Sequence, residues 1–213
     1  MSQPPDLQSH FRLRPASPAD LPALNALISA STTRFCSTAY TPSQIRAMIG
    51  QATANRYDSL IKNSTYYVAC PTDNPAVIIA SGGWSPRRTV YYDWGSTTAA
   101  EYEQFNPEED PAWIRGVYVH PEYARRGLAR RVVRECEAAA SRAVPQFTRY
   151  TLSSTMNAVP FYQACGYRAV QEHEVGVQGG ETMKVSMMEK EGAITVDMDE
   201  FNRDVLLSRI DIR

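Results

Sequence analysis

The chain has 213 residues, of which 43% are hydrophobic and 21% charged, a composition typical of a globular protein with one sizeable core. This length suits one domain with an additional arm better than two full domains. The formal net charge of −1 excludes an overall basic field that would hold nucleic acid or an anionic membrane, so any positive surface must be local. No run approaches the ~18 apolar residues of a membrane-spanning helix, and residues 1–10 lack a secretory signal pattern.

The four cysteines are far apart in the sequence, and no two of them form a Cys-x-x-Cys pair. This spacing disfavours a zinc site or a redox dithiol, and we expect no bound metal. Buried, unreactive thiols are the simpler interpretation. Reduced thiols also favour a cytoplasmic location. The four are Cys36, Cys70, Cys136 and Cys165.

The first half of the chain predicts a leader, a strand, two helices and a hairpin. Residues 1–10 are polar and contain prolines, which is typical of a loose leader. The segment "FRLRPAS" alternates like a strand. Ser17 and Thr41 each precede a proline and a helical spacing of apolar residues, so we expect them to cap two helices. The β-rich runs "TYYVAC" and "AVIIASGGW" predict the hairpin.

The second half predicts strand, helix, strand, helix and two final strands. A polar segment of residues 85–110 precedes it, and its length and aromatic residues favour a functional loop. The strand "AWIRGVYVH" is followed by the helix "ARRGLARRVVRECEAAA", the strand "RYTLSST" and a short helix closed by Gly166. The final strands are "YRAVQEHEV" and "ETMKVSMME". Residues 191–213 contain an amphipathic pattern, which predicts an arm that docks on the core or, in a homodimer, on a second subunit.

Residues 120–135, "HPEYARRGLARRVVRE", concentrate positive charge around one glycine. The first turn of a helix carries unpaired N–H groups and a partial positive charge, which together suit a phosphate group. Gly127 has no Cβ, so a phosphate can approach the backbone. Nearby arginines would add charge-assisted hydrogen bonds. An ordinary amphipathic helix with solvent-facing arginines is the alternative, and this segment alone does not exclude it.

The flanking sequence resembles the GNAT superfamily of acyl-CoA-dependent N-acyltransferases. "VYVHPEYARRGLARRVV" is similar to the superfamily's motif A, [Q/R]-x-x-G-x-[G/A] after a V-x-V strand, although Ala124 stands where Gln or Arg is expected. "SSTMNAVPFYQACGYRAV" is similar to the second conserved block, in which Asn157 and Tyr162 occupy the matching positions. "SGGW" resembles the small-residue end of the third strand.

This resemblance implies a mixed α+β fold, of the α/β type broadly, over residues 11–190. It implies a central mixed, mostly antiparallel sheet with splayed strands, flanked by helices, and residues 191–213 as a C-terminal extension. Acetyl-CoA would be the acyl donor, with its pantetheine arm between the splayed strands. Gly116 could accommodate a bulge there. The residues implied to bind the coenzyme are Val117, Tyr118, Val119, Arg125, Arg126, Gly127, Leu128, Ala129, Arg130 and Asn157.

The resemblance also implies that Tyr162 protonates the departing thiolate, because a phenol with a pKa near ~10 matches a thiol of similar basicity. A core aromatic at helical spacing is the alternative for this residue. The usual location of a catalytic glutamate holds Trp113 and Ile114, so no base is identified. Four titratable residues lie near this position, but a solvated acidic loop and a turn-capping imidazole explain them more simply than a role as the catalytic base. They are Glu108, Glu109, Asp110 and His120.

The sequence therefore predicts an N-acetyltransferase that acts on a small-molecule amine by direct attack in a ternary complex. An aromatic acceptor wall would come from Phe35, Tyr40, Trp84, Tyr91, Tyr92 and Trp94. A protein N-acetyltransferase and a non-catalytic acyl-CoA sensor are the alternatives. A nucleic-acid binder is disfavoured by the composition, and no membrane partner is expected.

Overall fold

The computed structural model describes residues 11–54, 57–85, 106, 109–145 and 147–191. The predicted leader, residues 86–105 of the long polar segment and the extension after Glu191 lie outside the described residues. Within them, no helix is long and apolar enough to cross a membrane.

The described residues form seven strands and five helices. The strands are β1 (Phe11–Pro15), β2 (Tyr66–Pro71), β3 (Ala80–Ser85), β4 (Ala112–Val119), β5 (Arg149–Thr155), β6 (Arg168–Gly176) and β7 (Thr182–Glu191). The helices are α1 (Leu21–Cys36), α2 (Pro42–Thr53), α3 (Asp58–Lys62), α4 (Leu128–Ala143) and α5 (Val159–Ala164). Each predicted strand and helix in these ranges is present, although α4 begins later than predicted, and α3 is an addition.

The predicted cap at Thr41 is present, whereas Ser17 lies one 3-10 turn before α1, whose N-cap is Asp20. The Thr41 hydroxyl accepts a hydrogen bond from the Gln44 N–H at 3.3 Å, and the Gln44 side chain accepts one from the Thr41 N–H at 2.9 Å. This reciprocal capping box satisfies two donors that the start of α2 would otherwise leave unpaired. At Ser17, one 3-10 turn (Pro18–Asp20) comes first, and α1 continues from it.

The strands form one sheet in the order β1-β2-β3-β4-β5-β7-β6. Neighbours pair antiparallel throughout, except that β4 and β5 run parallel. Helix α4 packs on one face, where Leu128, Val132 and Cys136 enter the main core. Helices α1 and α3 cover part of the other face through a second core that includes Leu24 and Leu60. The predicted mixed, mostly antiparallel sheet with flanking helices is confirmed.

The sheet opens between β4 and β5. These strands pair only at Ala112–Tyr150 and Trp113–Thr151. Beyond those pairs, β4 follows β3 to Val119, while β5 follows β7 to Thr155. Each strand keeps one partner and loses the other, so a gap forms in the middle of the sheet.

A bulge at Gly116 bends β4 beside this gap. The register against β3 shifts by one residue, because Ser81 pairs with Tyr118 but Gly83 pairs with Arg115. Gly116 has φ +60°, and a Cβ there would lie 2.7 Å from the Tyr57 ring and from the Tyr66 hydroxyl. Only glycine fits both the conformation and the space.

Candidate active site

A cavity of about 540 Å³ occupies the gap between β4 and β5. Its walls come from both sides of the sheet: α1, α2 and Tyr57 on one side, and the start of α4 together with α5 on the other. Sites of ~300–1,000 Å³ are typical for small molecules and cofactors. The opening in the sheet therefore joins the space beside α1 and α2 to the space beside α4 and α5 in one continuous cavity.

The predicted phosphate cradle lies at one end of this cavity. Helix α4 begins at Leu128 with Gly127 as its N-cap, later than the sequence predicts. The reason is backbone conformation: Arg125 has φ +64° and Gly127 has φ +80°, so neither residue is helical. A Cβ at position 127 would have no atom within 4 Å, which leaves the backbone open to a ligand. The first-turn N–H groups of α4 have no partner inside the helix, and they belong to residues 128–130, which border this end.

The three predicted cradle arginines take different positions. Arg125 and Arg130 border the cavity, but Arg126 does not. The Arg126 guanidinium lies instead over the Tyr123 ring, 5.2 Å from its centre. Arg130 Nη2 donates to the Ala164 carbonyl at 2.9 Å and so links the start of α4 to the end of α5. Leu128 and Ala129 complete this part of the lining.

Val117, Tyr118 and Val119 border the cavity along β4. The His120 N–H donates to the Ile79 carbonyl next to β3 at 2.8 Å, so the N–H of the preceding residue, Val119, points to the opposite edge. That N–H donates to the Ser31 hydroxyl of α1, with 3.4 Å between the nitrogen and the oxygen. Beyond Trp113, β4 has no strand partner on this edge, so an extended ligand in the gap could meet its main chain, in competition with Ser31 at Val119.

Three buried polar atoms in the lining have no hydrogen-bond partner among the described residues. They are Asn157 Oδ1, Trp113 Nε1 and Ser153 Oγ. A buried polar group without a partner costs about 1–3 kcal/mol. Such atoms are expected where a ligand supplies the missing partners, and an amide-containing arm like pantetheine offers a donor that suits Asn157 Oδ1.

Tyr162 is buried and borders the cavity from α5. Its ring packs edge-on against Phe161 at 4.9 Å and Tyr167 at 5.8 Å between centres. The Tyr167 hydroxyl donates to Glu137 Oε1 at 2.7 Å, and Lys190 Nζ donates to Glu137 Oε2 at 2.8 Å. Burial, and then the Glu137 charge, raise the pKa of Tyr167 well above its usual range, so Tyr167 stays neutral and positions Tyr162.

Asp110 and His120, at the two ends of β4, each make a local hydrogen bond to the main chain. The Asp110 carboxylate accepts from the Asn106 N–H at 3.0 Å, and His120 Nδ1 accepts from the Glu122 N–H at 3.4 Å. Neither of these side chains borders the cavity, nor does Glu109. Glu108 lies outside the described residues. Among the described residues that line the cavity, none is Asp, Glu or His.

The predicted aromatic wall is only partly correct. Phe35 borders the cavity. Tyr40 does not, because its hydroxyl donates to the Lys184 carbonyl at 2.6 Å and accepts from the Met156 N–H at 2.8 Å. Trp84 lies in the main core. Tyr91, Tyr92 and Trp94 lie outside the described residues. Tyr57, Trp113 and Met48 also line the cavity, and no sequence pattern marks them as lining residues.

The cysteines are free, as predicted, and Cys36 borders the cavity. Burial raises the pKa of the Cys36 thiol to about 11, so this thiol stays protonated near neutral pH. A protonated thiol is a poor nucleophile and a poor metal ligand. Among the described residues, no group of His, Cys, Asp and Glu side chains could hold a metal ion.

The sheet opens after a short parallel pair, and a glycine-capped helix lies at one end of the opening, as the resemblance to the GNAT superfamily implies. Residues 105–191 match the family model described as "Acetyltransferase (GNAT) domain". This match confirms the resemblance seen in the sequence, and with it the prediction of an acyltransferase enzyme. A comparison with curated protein sequences gives no match.

Solved structures support the same fold. A GCN5-related N-acetyltransferase from Rhodopseudomonas palustris superposes with a TM-score of 0.63 at 20% identity, covering 85% of this chain and 96% of that one. PaiA N-acetyltransferase from Thermoplasma acidophilum, in complex with coenzyme A, gives 0.59 at 16% identity, covering 85% and 98%. The putative acetyltransferase yncA from Salmonella typhimurium, with acetyl-CoA, gives 0.54 at 16% identity, covering 88% and 96%.

Proposed function

We propose that this protein transfers the acetyl group of acetyl-CoA to the amino group of a small molecule, by direct attack in a ternary complex. The observation that carries the proposal is the continuous cavity through the sheet, which runs from the N-terminus of α4 past Tyr162 to α1 and α2. Two of the structurally similar proteins were solved with coenzyme A or acetyl-CoA, which favours this donor.

The chain offers fitting partners for the diphosphate and for the pantetheine arm of the coenzyme. The backbone from Gly127 to Arg130 would hold the diphosphate, with Arg125 adding positive charge. The main chain of Val117–Val119 would bind the pantetheine arm from one wall, and the unpartnered Asn157 side chain would bind it from the other. With these roles, the thioester would lie beside Tyr162.

The attacking amine and the leaving sulfur would lie on opposite faces of the sheet. Tyr162 lies with the core on the α4 face, while Trp113 and Arg115 lie on the α1 face. The amine would attack the acyl carbon from the α1 face, and the sulfur would leave toward Tyr162, whose hydroxyl would protonate it. Because burial raises the pKa of the Cys36 thiol to about 11, Cys36 is a poor candidate for an acyl-cysteine intermediate. Holding both reactants in one cavity would supply much of the rate enhancement.

The acceptor amine must lose a proton before it attacks. With a pKa near ~10, about one molecule in a thousand is neutral at pH 7, which costs about 4 kcal/mol. No carboxylate or imidazole occurs among the described lining residues. We therefore expect kcat/KM for the amine to rise about tenfold per pH unit between pH ~6 and ~9, in proportion to the neutral fraction. A bell-shaped profile with an optimum below pH ~8 would show that the enzyme carries its own base.

Replacing Tyr162 with phenylalanine tests the role of the hydroxyl. General acids contribute about 10²–10⁴-fold, so we expect Tyr162→Phe to lower kcat by at least a hundredfold with little change in the Kd for acetyl-CoA. Tyr123→Phe removes a hydroxyl at the diphosphate end of the same cavity and serves as the matched control. An unchanged kcat in Tyr162→Phe would rule out the acid role.

Turnover on a broad amine panel tests the reaction itself, with release of the free thiol as the readout. The panel includes peptides with free N-termini, since acceptance of those would favour a protein acceptor over a small molecule. Binding of acetyl-CoA by calorimetry without turnover of any amine would favour the acyl-CoA sensor instead.

A further inference from the structure

The acceptor side of the cavity contains a buried hydrogen-bond donor that the mechanism above does not use. Trp113 is 7% exposed and borders the cavity, and its indole Nε1 has no hydrogen-bond partner among the described residues. An indole N–H can only donate. Because an unpaired buried donor is unfavourable, a molecule that fills this side of the cavity binds best when it brings an accepting atom.

A second unpartnered group lies on the same face of the sheet. Trp113 is paired with Thr151, so these two side chains point to the same side. Ser153 lies two residues further along β5 and shares that side. Ser153 borders the cavity, and its Oγ has no partner among the described residues. A serine hydroxyl can donate or accept, so the two groups together suit a carbonyl oxygen or a hydroxyl group.

These two groups lie at the acyl end of the proposed coenzyme site. Trp113 is the last residue of β4 that pairs with β5, so it lies at the closed end of the gap. The diphosphate cradle at Gly127 follows the other end of β4. Ile114 and Leu152 point to the opposite face and enter the main core with Tyr162. A coenzyme held at Gly127 would therefore bring its acyl group toward Trp113, with the leaving sulfur on the opposite face.

Apolar side chains also border this part of the cavity. Phe35 of α1 and Met48 of α2 are among them. Small-molecule sites combine a mostly apolar lining with a few polar groups that fix the orientation of the ligand. Here Phe35 and Met48 would contact the carbon skeleton of the acceptor, and the Trp113 N–H with the Ser153 hydroxyl would fix its orientation.

We propose that the acceptor is an amine that also carries a neutral oxygen, in a hydroxyl or a carbonyl group, and that Trp113 Nε1 donates a hydrogen bond to this oxygen. Ser153 Oγ is the second partner of the same polar group. A plain alkylamine would leave both side chains unpaired, so the site discriminates against it. This inference rests on the proposed function, because it identifies the substrate class of the same site.

The experiment compares matched acceptors with the purified full-length protein and acetyl-CoA. Amino alcohols and amino amides are each paired with the alkylamine in which methyl groups replace the hydroxyl group or the amide oxygen and nitrogen. Ethanolamine with propylamine, and glycinamide with isobutylamine, are two such pairs. Neutral oxygen groups are used because Arg115 also borders the cavity, and a charged group would respond to its guanidinium as well.

The expected result is a preference for the oxygen-bearing member of a pair. Values of kcat/KM are corrected for the fraction of neutral amine, because the paired amines differ in pKa. We expect at least one amino alcohol or amino amide to exceed its alkylamine partner by about tenfold or more, since the alkylamine leaves a buried donor unpaired.

Three variants locate that preference. Trp113→Phe removes the N–H and keeps an aromatic ring, so the ratio of kcat/KM within the preferred pair should fall about fivefold or more, with the Kd for acetyl-CoA unchanged. Ser153→Ala should lower the same ratio by about a few-fold. Trp84→Phe is the matched control, because Trp84 is 5% exposed, lies in the main core and does not border the cavity. It should keep the wild-type ratio.

The outcomes separate this inference from the proposed function. Equal turnover within every pair, or preference for the alkylamines, would overturn the inference, while N-acetyl transfer would stand. A ratio that survives in Trp113→Phe would overturn it too, since an indole that binds the acyl carbonyl instead would lower kcat for both members alike. Acetylation of no oxygen-bearing amine by protein that binds acetyl-CoA would also overturn it.

Failure to bind acetyl-CoA at all would instead count against the proposed function, and the inference would fall with it. If a variant does not fold, the paired measurements on the unmodified protein still decide.

Discussion

Gly127 gives the sharpest test of the coenzyme site. Its φ of +80° is a left-handed conformation, and an alanine there costs about 1–2 kcal/mol. For a chain of this size, that corresponds to a fall in Tm of roughly 2–8 °C. No atom lies within 4 Å of the position that a Cβ would take, so the change creates backbone strain without a steric clash inside the protein.

The effect of Gly127→Ala on binding should be larger than its effect on stability. The added methyl group would occupy the space through which a phosphate reaches the N–H groups of α4. Losing one charge-assisted hydrogen bond costs about 1.5–3 kcal/mol, so we expect the Kd for acetyl-CoA to rise about tenfold to a hundredfold. Gly127→Glu adds like charge, worth about 1–4 kcal/mol at ~4 Å depending on solvent screening, and should weaken binding further.

Gly179→Ala is the matched control. Gly179 has φ +83°, is exposed, and also has no atom within 4 Å of a Cβ, but it lies in the turn between β6 and β7 and does not border the cavity. Both alanine variants should lose similar stability by thermal unfolding, and only Gly127→Ala should lose affinity by calorimetry. Wild-type affinity in Gly127→Ala would refute the cradle, whatever the change in Tm.

Two further predictions concern stability. Lys190→Met leaves the fully buried Glu137 carboxylate without its cation and should lower the free energy of unfolding in urea by about 3 kcal/mol. Combining Lys190→Met with Glu137→Gln should recover part of this loss of stability. If the single and the double variant lose the same free energy of unfolding, the two side chains are not coupled. Hydrogen bonds from Arg14 lower the pKa of Asp20 to about 2, so its contribution of about 1–2 kcal/mol is present above pH ~4 and is lost as the pH falls through about 2. Asp20→Asn should therefore be less stable than the wild type at pH ~7 and equally stable near pH ~1–2, and a constant difference in unfolding free energy across this range would contradict the assignment.

The elements of this fold could be predicted because their signals are local. Thr41 with Gln44 forms a capping box within four residues, and alternation along "FRLRPAS" predicts β1 directly. The first residue of α4 could be predicted less accurately than these elements. Helical periodicity extends through "ARRG", but the left-handed backbone at Arg125 depends on the turn after β4, which periodicity does not encode.

The site was predictable where it uses the backbone and less so where it uses side chains from distant segments. The motif around Gly127 identified the helix terminus because its N–H groups need no particular side chain. Tyr57 lines the cavity, where its ring stacks on Tyr66 of β2 and lies next to the bulge at Gly116, and no short pattern marks these contacts. Tyr40 was assigned to the acceptor wall, but its hydroxyl bridges two backbone groups across the fold instead.

The buried carboxylate of Glu137 also fixes the distance between the start of α4 and Tyr162. It lies ten residues after Gly127, about 15 Å along α4, and is tied both to Lys190 of β7 and to the tyrosine that holds Tyr162. Sliding α4 along its axis would break both ties in a region without solvent, so the helix terminus and the Tyr162 hydroxyl keep a constant separation. The pantetheine arm of a bound coenzyme would have a limited length between the diphosphate and the sulfur, so a scaffold with an adjustable separation could bind one end without aligning the other.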